Sequence, residues 1–409
     1  MRTRTWATRT RTTPTPTQTT RTSSALERCV EPVARERFLR DYWERRPLYV
    51  PRDDGRFFDL LSRDEAERLV TSTALRFPAV RLVKAGAQLA AGDYTVDLPW
   101  RPRPFTGTVD VRRAIHEFER GATIVLQALH IAHAPVAEFA RSLEQELREP
   151  VQVNAYYTPP AAQGLPVHHD THDVFVLQTA GEKRWRVYAP VFELPLRSQR
   201  YRPEMGGPGR PLLDVTVRPG DTLYVPRGWL HEALTSESDS LHLTVGVNVH
   251  TWLDAFRAAL DECADELAFR RSAVGSPDDL VDALERRLGA GDVERRREER
   301  LVRTRRPVLA DAFDQLREVE ALGLETAVER RPTVLARLSR GEQDAVLLQF
   351  EDVELRFPAR VREELEYAAS AAAPFAPADL PGRLDEAGRL VLVRRLVLEG
   401  FLRIVARDG

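Results

Sequence analysis

The sequence predicts an α+β chain organised around a β-rich centre that reads as an all-β barrel or sandwich. Three observations carry this. Between Val151 and Val249, short β-rich runs are separated by Pro/Gly turns. Two of these runs alternate, and each gathers polar residues on one face. On both sides of this stretch the periodicity becomes helical. With 409 residues there is room for two or three domains and an ample core.

Taken in order, Arg35–Trp43 reads as an amphipathic helix that the Arg46-Pro47 step ends. Pro47–Val50 reads as a short strand, and 63–72, 109–119 and 134–148 as helices. In Val151–Thr158, Val151, Val153, Ala155 and Tyr157 share one face. Gln152, Asn154, Tyr156 and Thr158 share the other. Asp173–Leu177 and Arg184–Tyr188, joined at Ala180-Gly181-Glu182, are expected to form a hairpin. Val215–Val217 and Thr222–Val225, joined at Pro219-Gly220, are expected to form another. Leu241–Val249 alternates again, with His242, Thr244, Gly246 and Asn248 on the polar face. Polar faces on several strands predict a barrel with a polar interior pocket. Residues 253–271 and 276–288 then read as helices, and Glu294–Arg306 as a solvated helix face, because acids interleave with its arginines. The last stretch combines a hairpin-like pair (VLLQF, VELRF), helices at 359–370 and 385–399, a capping Gly400 and a strand at Phe401–Val405. That order is compatible with a small winged-helix-like domain.

Composition narrows the function. The formal net charge is −2, which gives no global electrostatic case for nucleic acid. From Pro381 onward six arginines face four acids, too even a balance for direct DNA binding. Of 60 basic residues only Lys84 and Lys183 are lysine, a skew that reflects GC-rich coding. Two cysteines cannot make a disulfide scaffold or a Cys-rich zinc site, and a cytoplasmic location is expected. No apolar run reaches the length needed to span a membrane. Residues 1–24 are Arg/Thr-rich and of low complexity, and read as a disordered tail.

The chemistry concentrates in Val167–His172 (VHHDTH). In an extended strand, residues i and i+2 face the same way, so His168 and Asp170 can face one metal ion together. Two histidines and a carboxylate suit a divalent iron centre and leave its opposite side open. His231, which follows the Pro219-Gly220-Asp221 turn and a strand, is the best second histidine; His172 is its rival. His169 would face away from both.

Several segments together resemble the JmjC-type ribosomal oxygenases. They are Asn154–Pro160 (NAYYTPP), Gly164, His168–Asp170, Asp173–Gln178 (DVFVLQ), Gly181–Tyr188 (GEKRWRVY), Pro219–Pro226 (PGDTLYVP), Gly228 and His231–Glu232. Tyr42–Leu48 (YWERRPL) and the segment from Leu380 to Arg403 extend the resemblance over about residues 25–409. It implies a double-stranded β-helix (cupin-like) fold and a division into a catalytic domain at 25–250, a helical dimerisation region at 251–325 and a winged-helix-like domain at 326–409. It implies an iron(II)- and 2-oxoglutarate-dependent dioxygenase that uses O2 to hydroxylate a protein side chain, a histidine or arginine of a ribosomal protein, and works as a homodimer. The alternative on the same iron chemistry is oxidation of a small molecule or peptide natural product. The resemblance also implies His168, Asp170 and His231 as iron ligands and Lys183 as the partner of the cosubstrate's distal carboxylate. Asn154 and Thr244 match cosubstrate-pocket positions, and Tyr156 and His172 lie toward the substrate. His169 and the Thr171-His172 pair depart from the family pattern, which bears on the target residue rather than on the iron chemistry.

Overall fold

Alternation along the central strands decides the architecture. The structure, a computed structural model, describes residues 24–162, 166–274 and 276–405. Residues 1–23 of the expected tail, and Gly164, lie outside the described residues.

Eleven strands precede the C-terminal part. They are β1 (Leu48–Val50), β2 (Val80–Lys84), β3 (Ala87–Gln88), β4 (Thr95–Leu98), β5 (Phe105–Val109), β6 (Thr123–Leu126), β7 (Val151–Thr158), β8 (Asp173–Tyr188), β9 (Leu213–Val217), β10 (Thr222–Val225) and β11 (Leu230–Val247). Nine form one antiparallel sheet in the order β1-β10-β8-β11-β7-β6-β2-β3, with β9 beside β8; β4 and β5 pair separately. Val153, Ala155, Leu243 and Val245 point into a core shared with Val136, Phe139 and Leu143 of the helix Ala134–Leu147. Each such valine, leucine or phenylalanine contributes about 1.5–3 kcal/mol on burial. The polar faces of β7 and β11 turn the other way and line a cavity.

Both expected hairpins are absent. Asp173–Tyr188 is one bent strand of 16 residues, so Lys183 lies further along the strand that begins at Asp173. The first half of β8 pairs with β10 and the second half with β9, while β11 runs along both. Gly181 (φ +61°) marks a bulge, not a reversal; a Cβ there would lie 1.8 Å from the Asp239 carbonyl oxygen. β9 and β10 do not pair with each other; each takes one half of β8.

The N-terminal segment anchors the start of β8. Phe38 packs edge-on against Tyr224 at 4.9 Å and tilted against Phe175 at 5.6 Å. The Tyr224 hydroxyl donates to Asp173 Oδ1 (2.7 Å) and accepts from the Glu44 amide (2.9 Å). Arg227 pairs with Asp173 and Glu44.

After the barrel, helices cover Trp252–Cys263, Asp278–Arg287 and Ala290–Thr304. The first stops well short of the expected residue 271. The charged run is not a solvated face: Arg296 is buried and grips Glu262 through two 2.7 Å hydrogen bonds, and Leu301, Val302 and Arg305 are buried too. Arg305 sits between Glu144 (3.3 Å) of the barrel-side helix and Glu351 (3.5 Å) of the C-terminal part. Buried charges of this kind are tolerated only when paired, so the network ties the two parts together.

The C-terminal core draws on residues from Val319 to Leu402. Strands Ala336–Gly341, Ala345–Phe350 and Val353–Pro358 form one sheet, and Val328–Arg330 pairs with Leu402–Ile404. The helix Glu386–Leu398 is capped by Asp385, which accepts from the Gly388 amide, and ends before Gly400 (φ +82°). Among the described residues no helix is long and apolar enough to cross a membrane.

Candidate active site

The cavity lies inside the curved sheet and measures about 130 Å3. β7 contributes Gln152, Asn154 and Tyr156, and β11 contributes His231, His242 and Thr244. β8 contributes Lys183 and Trp185, and the segment leading into it His168, Asp170 and His172.

His168, Asp170 and His231 come together so that one ligand atom from each lies within 4.8 Å of the others. His231 is the second residue of β11, and reciprocal backbone hydrogen bonds of 3.1 and 2.8 Å lock it to His168. His168 Nε2 lies 4.0 Å from Asp170 Oδ1, and His231 Nε2 lies 3.6 Å from Asp170 Oδ2. The other ring nitrogens face backbone carbonyls. His168 Nδ1 is 2.8 Å from the Pro166 oxygen, and His231 Nδ1 is 3.0 Å from the Trp229 oxygen. A carbonyl only accepts, so each Nδ1 carries the proton and each Nε2 presents its lone pair. Burial, with His168 nearby, pushes His231 down to about 4 and keeps it neutral. Burial alone would raise Asp170, but the surrounding histidines, His172 first, outweigh it and hold the carboxyl below its ordinary value. Two bare imidazole nitrogens and a carboxylate suit a divalent transition metal with open positions opposite.

Gly228 supports this arrangement. Its amide donates to the Asp170 carbonyl at 3.0 Å. At φ +88°, with the Phe192 oxygen 2.4 Å from where a Cβ would sit, only glycine fits.

Lys183 is buried, and its ammonium donates to Thr158 Oγ1 at 3.0 Å. Among the described residues no carboxylate pairs with it, and burial pushes it down to about 7. A buried cation without a counter-charge is costly, so the cavity is built for an anion.

The other expected residues also line the cavity. Asn154 has a structural duty, since its Oδ1 accepts from the amide of Ala128 (3.0 Å), a residue in left-handed conformation. Its NH2 remains as a donor. Tyr156 stacks flat on His242, with centroids 5.2 Å apart, and burial pushes its hydroxyl up to about 12. His172 lies in the cavity wall but outside the three-residue cluster. His169 is buried and directed to the Gln199 carbonyl (3.2 Å), away from the cluster. Sequence reasoning placed His242 on the polar face but gave it no role. It sits two residues before Thr244, and the same alternation carries both into the cavity.

His172 fits only because residue 246 is glycine. A Cβ at Gly246 would lie 2.2 Å from His172 Cδ2 and 2.6 Å from Nε2. Gly246 has no positive φ, so it is space, not backbone freedom, that requires it. Gly246→Ala is expected to cost about 1–3 kcal/mol by overpacking. Thermal unfolding reads this, and His172→Ala in the same chain should restore most of the loss; no restoration would mean the ring is not the obstacle.

Comparison with known proteins agrees with this geometry. Residues 128–255 match the JmjC domain family. The chain therefore carries a JmjC domain, and it is homologous to the ribosomal oxygenases. The bifunctional lysine-specific demethylase and histidyl-hydroxylase NO66 of Drosophila persimilis is 31% identical over 227 residues, 54% of this chain and 31% of its own. Ribosomal oxygenase 1 of Homo sapiens is 30% identical over 284 residues, 64% of this chain and 41% of its own. The chain thus spans less than half the length of these relatives. The crystal structure of Escherichia coli ribosomal oxygenase YcfD superposes on 91% of this chain and 98% of its own, with a TM-score of 0.55 at 20% identity. That likeness shows a shared fold, of the JmjC/cupin type. YcfD has also been solved in complex with cobalt and 2-oxoglutarate.

Proposed function

We propose that this chain is an iron(II)- and 2-oxoglutarate-dependent oxygenase that hydroxylates a histidine or arginine side chain of a ribosomal protein. One observation carries the reading: a cluster of two bare imidazole nitrogens and a carboxylate shares a cavity with a buried, uncompensated lysine. A metal-binding cluster and a carboxylate anchor in one cavity suit a cosubstrate that chelates at one end and carries a charge at the other. The homology to ribosomal oxygenases supports the substrate class.

In this reading His168, Asp170 and His231 hold iron(II), and Lys183 holds the distal carboxylate of 2-oxoglutarate. When bound, iron(II) would activate O2 and 2-oxoglutarate would supply two electrons, so that one oxygen atom enters the C–H bond while the other ends in succinate with loss of CO2. The chain's own residues place the reactants. The carbonyls of Pro166 and Trp229 fix the ring tautomers of the two histidines. The Asn154 NH2 and the Thr244 hydroxyl offer hydrogen bonds to the cosubstrate, while Tyr156 and His172 face the target side chain. The apolar walls at Val174, Val176 and Val225 exclude water.

Mass spectrometry of ribosomal proteins from wild-type and deletion strains tests the substrate. Loss of a single-oxygen adduct from one protein is the expected result. An unchanged set of masses, with oxygen-dependent succinate formation retained by the purified protein, would move the reading to a small molecule or peptide natural product.

The rest of the chain fits the same reading. Residues 251–325 serve as a homodimerisation region, supported by Trp252, Phe256 and Leu260, which lie exposed along one helix. Sedimentation at micromolar concentration should give twice the chain mass, and a monomer would overturn the dimer. Residues 326–409 form a winged-helix-like domain beside a catalytic domain at 25–250. A cytoplasmic location rests on two buried free cysteines, Cys29 and Cys263.

A further inference from the structure

His242 has no assigned task in the reading above, yet it is among the most constrained polar groups of the cavity. It is buried, stacked flat on Tyr156 at 5.2 Å and set edge-on to Trp185 at 5.6 Å. Its Nδ1 has no hydrogen-bond partner among the described residues. Burial, with the nearby Lys183 ammonium, keeps the ring neutral, well below the ordinary histidine value. A neutral imidazole carries one proton. A buried N–H without an acceptor costs more than a buried lone pair, so the proton belongs on Nε2. The ring therefore brings one unspent donor to the cavity that also holds the uncompensated Lys183.

A purely structural histidine does not explain this pairing. Phenylalanine or leucine would fill the space between Tyr156 and Trp185 without an orphaned polar atom beside a cation. A carboxylate in the cavity would accept the Nε2–H and supply the charge that Lys183 lacks, leaving on the ring only the Nδ1 lone pair, the cheaper group to bury unpaired. We propose that His242 is a second donor to the distal carboxylate of the cosubstrate, acting with Lys183 as a two-point clamp that selects a dicarboxylate. This rests on the reading of the cavity as a 2-oxoglutarate site. His242 is thus a binding and selectivity residue, not a metal ligand.

The test uses the full chain loaded with Mn(II) under anaerobic conditions. Two ligands are compared by calorimetry: 2-oxoglutarate, and 2-oxovalerate, which keeps the chelating end but has a methyl group in place of the distal carboxylate. His242→Phe keeps the stack on Tyr156 and removes the donor. Its Kd for 2-oxoglutarate should rise roughly ten- to hundredfold, the usual cost of losing a hydrogen bond to a charged group. Its Kd for 2-oxovalerate should stay within about twofold of wild type, because that ligand never uses the donor. His242→Gln, whose amide nitrogen can stand near the position of Nε2, should recover most of the 2-oxoglutarate affinity. Equal weakening of both ligands would assign His242 to packing and overturn the proposal, as would unchanged binding of both. If wild type itself failed to prefer 2-oxoglutarate over 2-oxovalerate, the dicarboxylate reading of the cavity would fall, and this proposal with it. A wild-type preference that survives undiminished in His242→Phe overturns only the role of His242.

Discussion

His231→Ala is expected to lose metal binding and hydroxylation together while keeping the fold. The ring makes one hydrogen bond from Nδ1, to the Trp229 carbonyl, and is otherwise held by position. Deleting it leaves one unsatisfied carbonyl and a small void, a cost of about 1–3 kcal/mol that a chain of this size can absorb. The metal loses far more. Substituting residues that only orient a ligand already costs about 10–100-fold in affinity, so losing one of three ligands should cost at least that much. Activity should fall by about three orders of magnitude or more, because the cosubstrate's chelating end loses its anchor as well. Titration with Co(II), followed by its visible bands, measures the binding, and oxygen-dependent succinate release measures the turnover. His169→Ala is the matched control, since that ring is turned to Gln199, and it should bind Co(II) as wild type does. Wild-type Co(II) affinity in His231→Ala would remove His231 from the centre and bring His172 forward.

That control shows how far the sequence could be read. The i, i+2 spacing set His168 and Asp170 apart from His169, although His168 is a single β-bridge ahead of β8 and not part of a strand, and alternation sorted β7 and β11 into a core face and a cavity face. Those are period-2 facts and survive any tertiary arrangement. The choice between His231 and His172 lay beyond it. What draws His231 rather than His172 into the cluster is the backbone bridge between His168 and His231, a contact across 63 positions that no local pattern encodes. The hairpins failed for a related reason. Ala180-Gly181 has turn chemistry, but glycine at positive φ serves a bulge as well as a reversal. Only the close passage of the Asp239 carbonyl shows which is present. The buried arginines of the 294–306 run were equally illegible. Their charge argued for water, and their partners, Glu262, Glu144 and Glu351, come from three separate segments. His242 was visible on the polar face, but its significance lies in a missing hydrogen bond, and an absence of that kind exists only in three dimensions.

Lys183→Ala is expected to weaken 2-oxoglutarate binding roughly a hundredfold or more, the cost of removing one member of a buried charge pair, with Co(II) affinity unchanged. The wild-type protein should reveal the same lysine through pH. Burial pushes the free ammonium down to about 7, so above that pH the empty pocket holds a neutral amine. A bound carboxylate favours the charged form and raises the lysine back toward its ordinary range, so binding takes up a proton there. The sign follows directly. Below about pH 7 the lysine is charged before the ligand arrives, and this group adds no pH dependence to Kd. Above about pH 7 each unit should raise Kd by up to about tenfold, until the bound-state value is reached. Lys183→Arg separates charge from fit. A guanidinium stays protonated throughout, so the slope should vanish; its bulk in a cavity of about 130 Å3 should weaken binding at every pH. Calorimetry of the anaerobic Mn(II) protein between pH 6 and 9 reads all three chains. A flat wild-type profile would mean that the lysine remains charged in the empty pocket. A slope that persisted in Lys183→Arg would assign the titration to another group and leave Lys183 without a role in the pH profile.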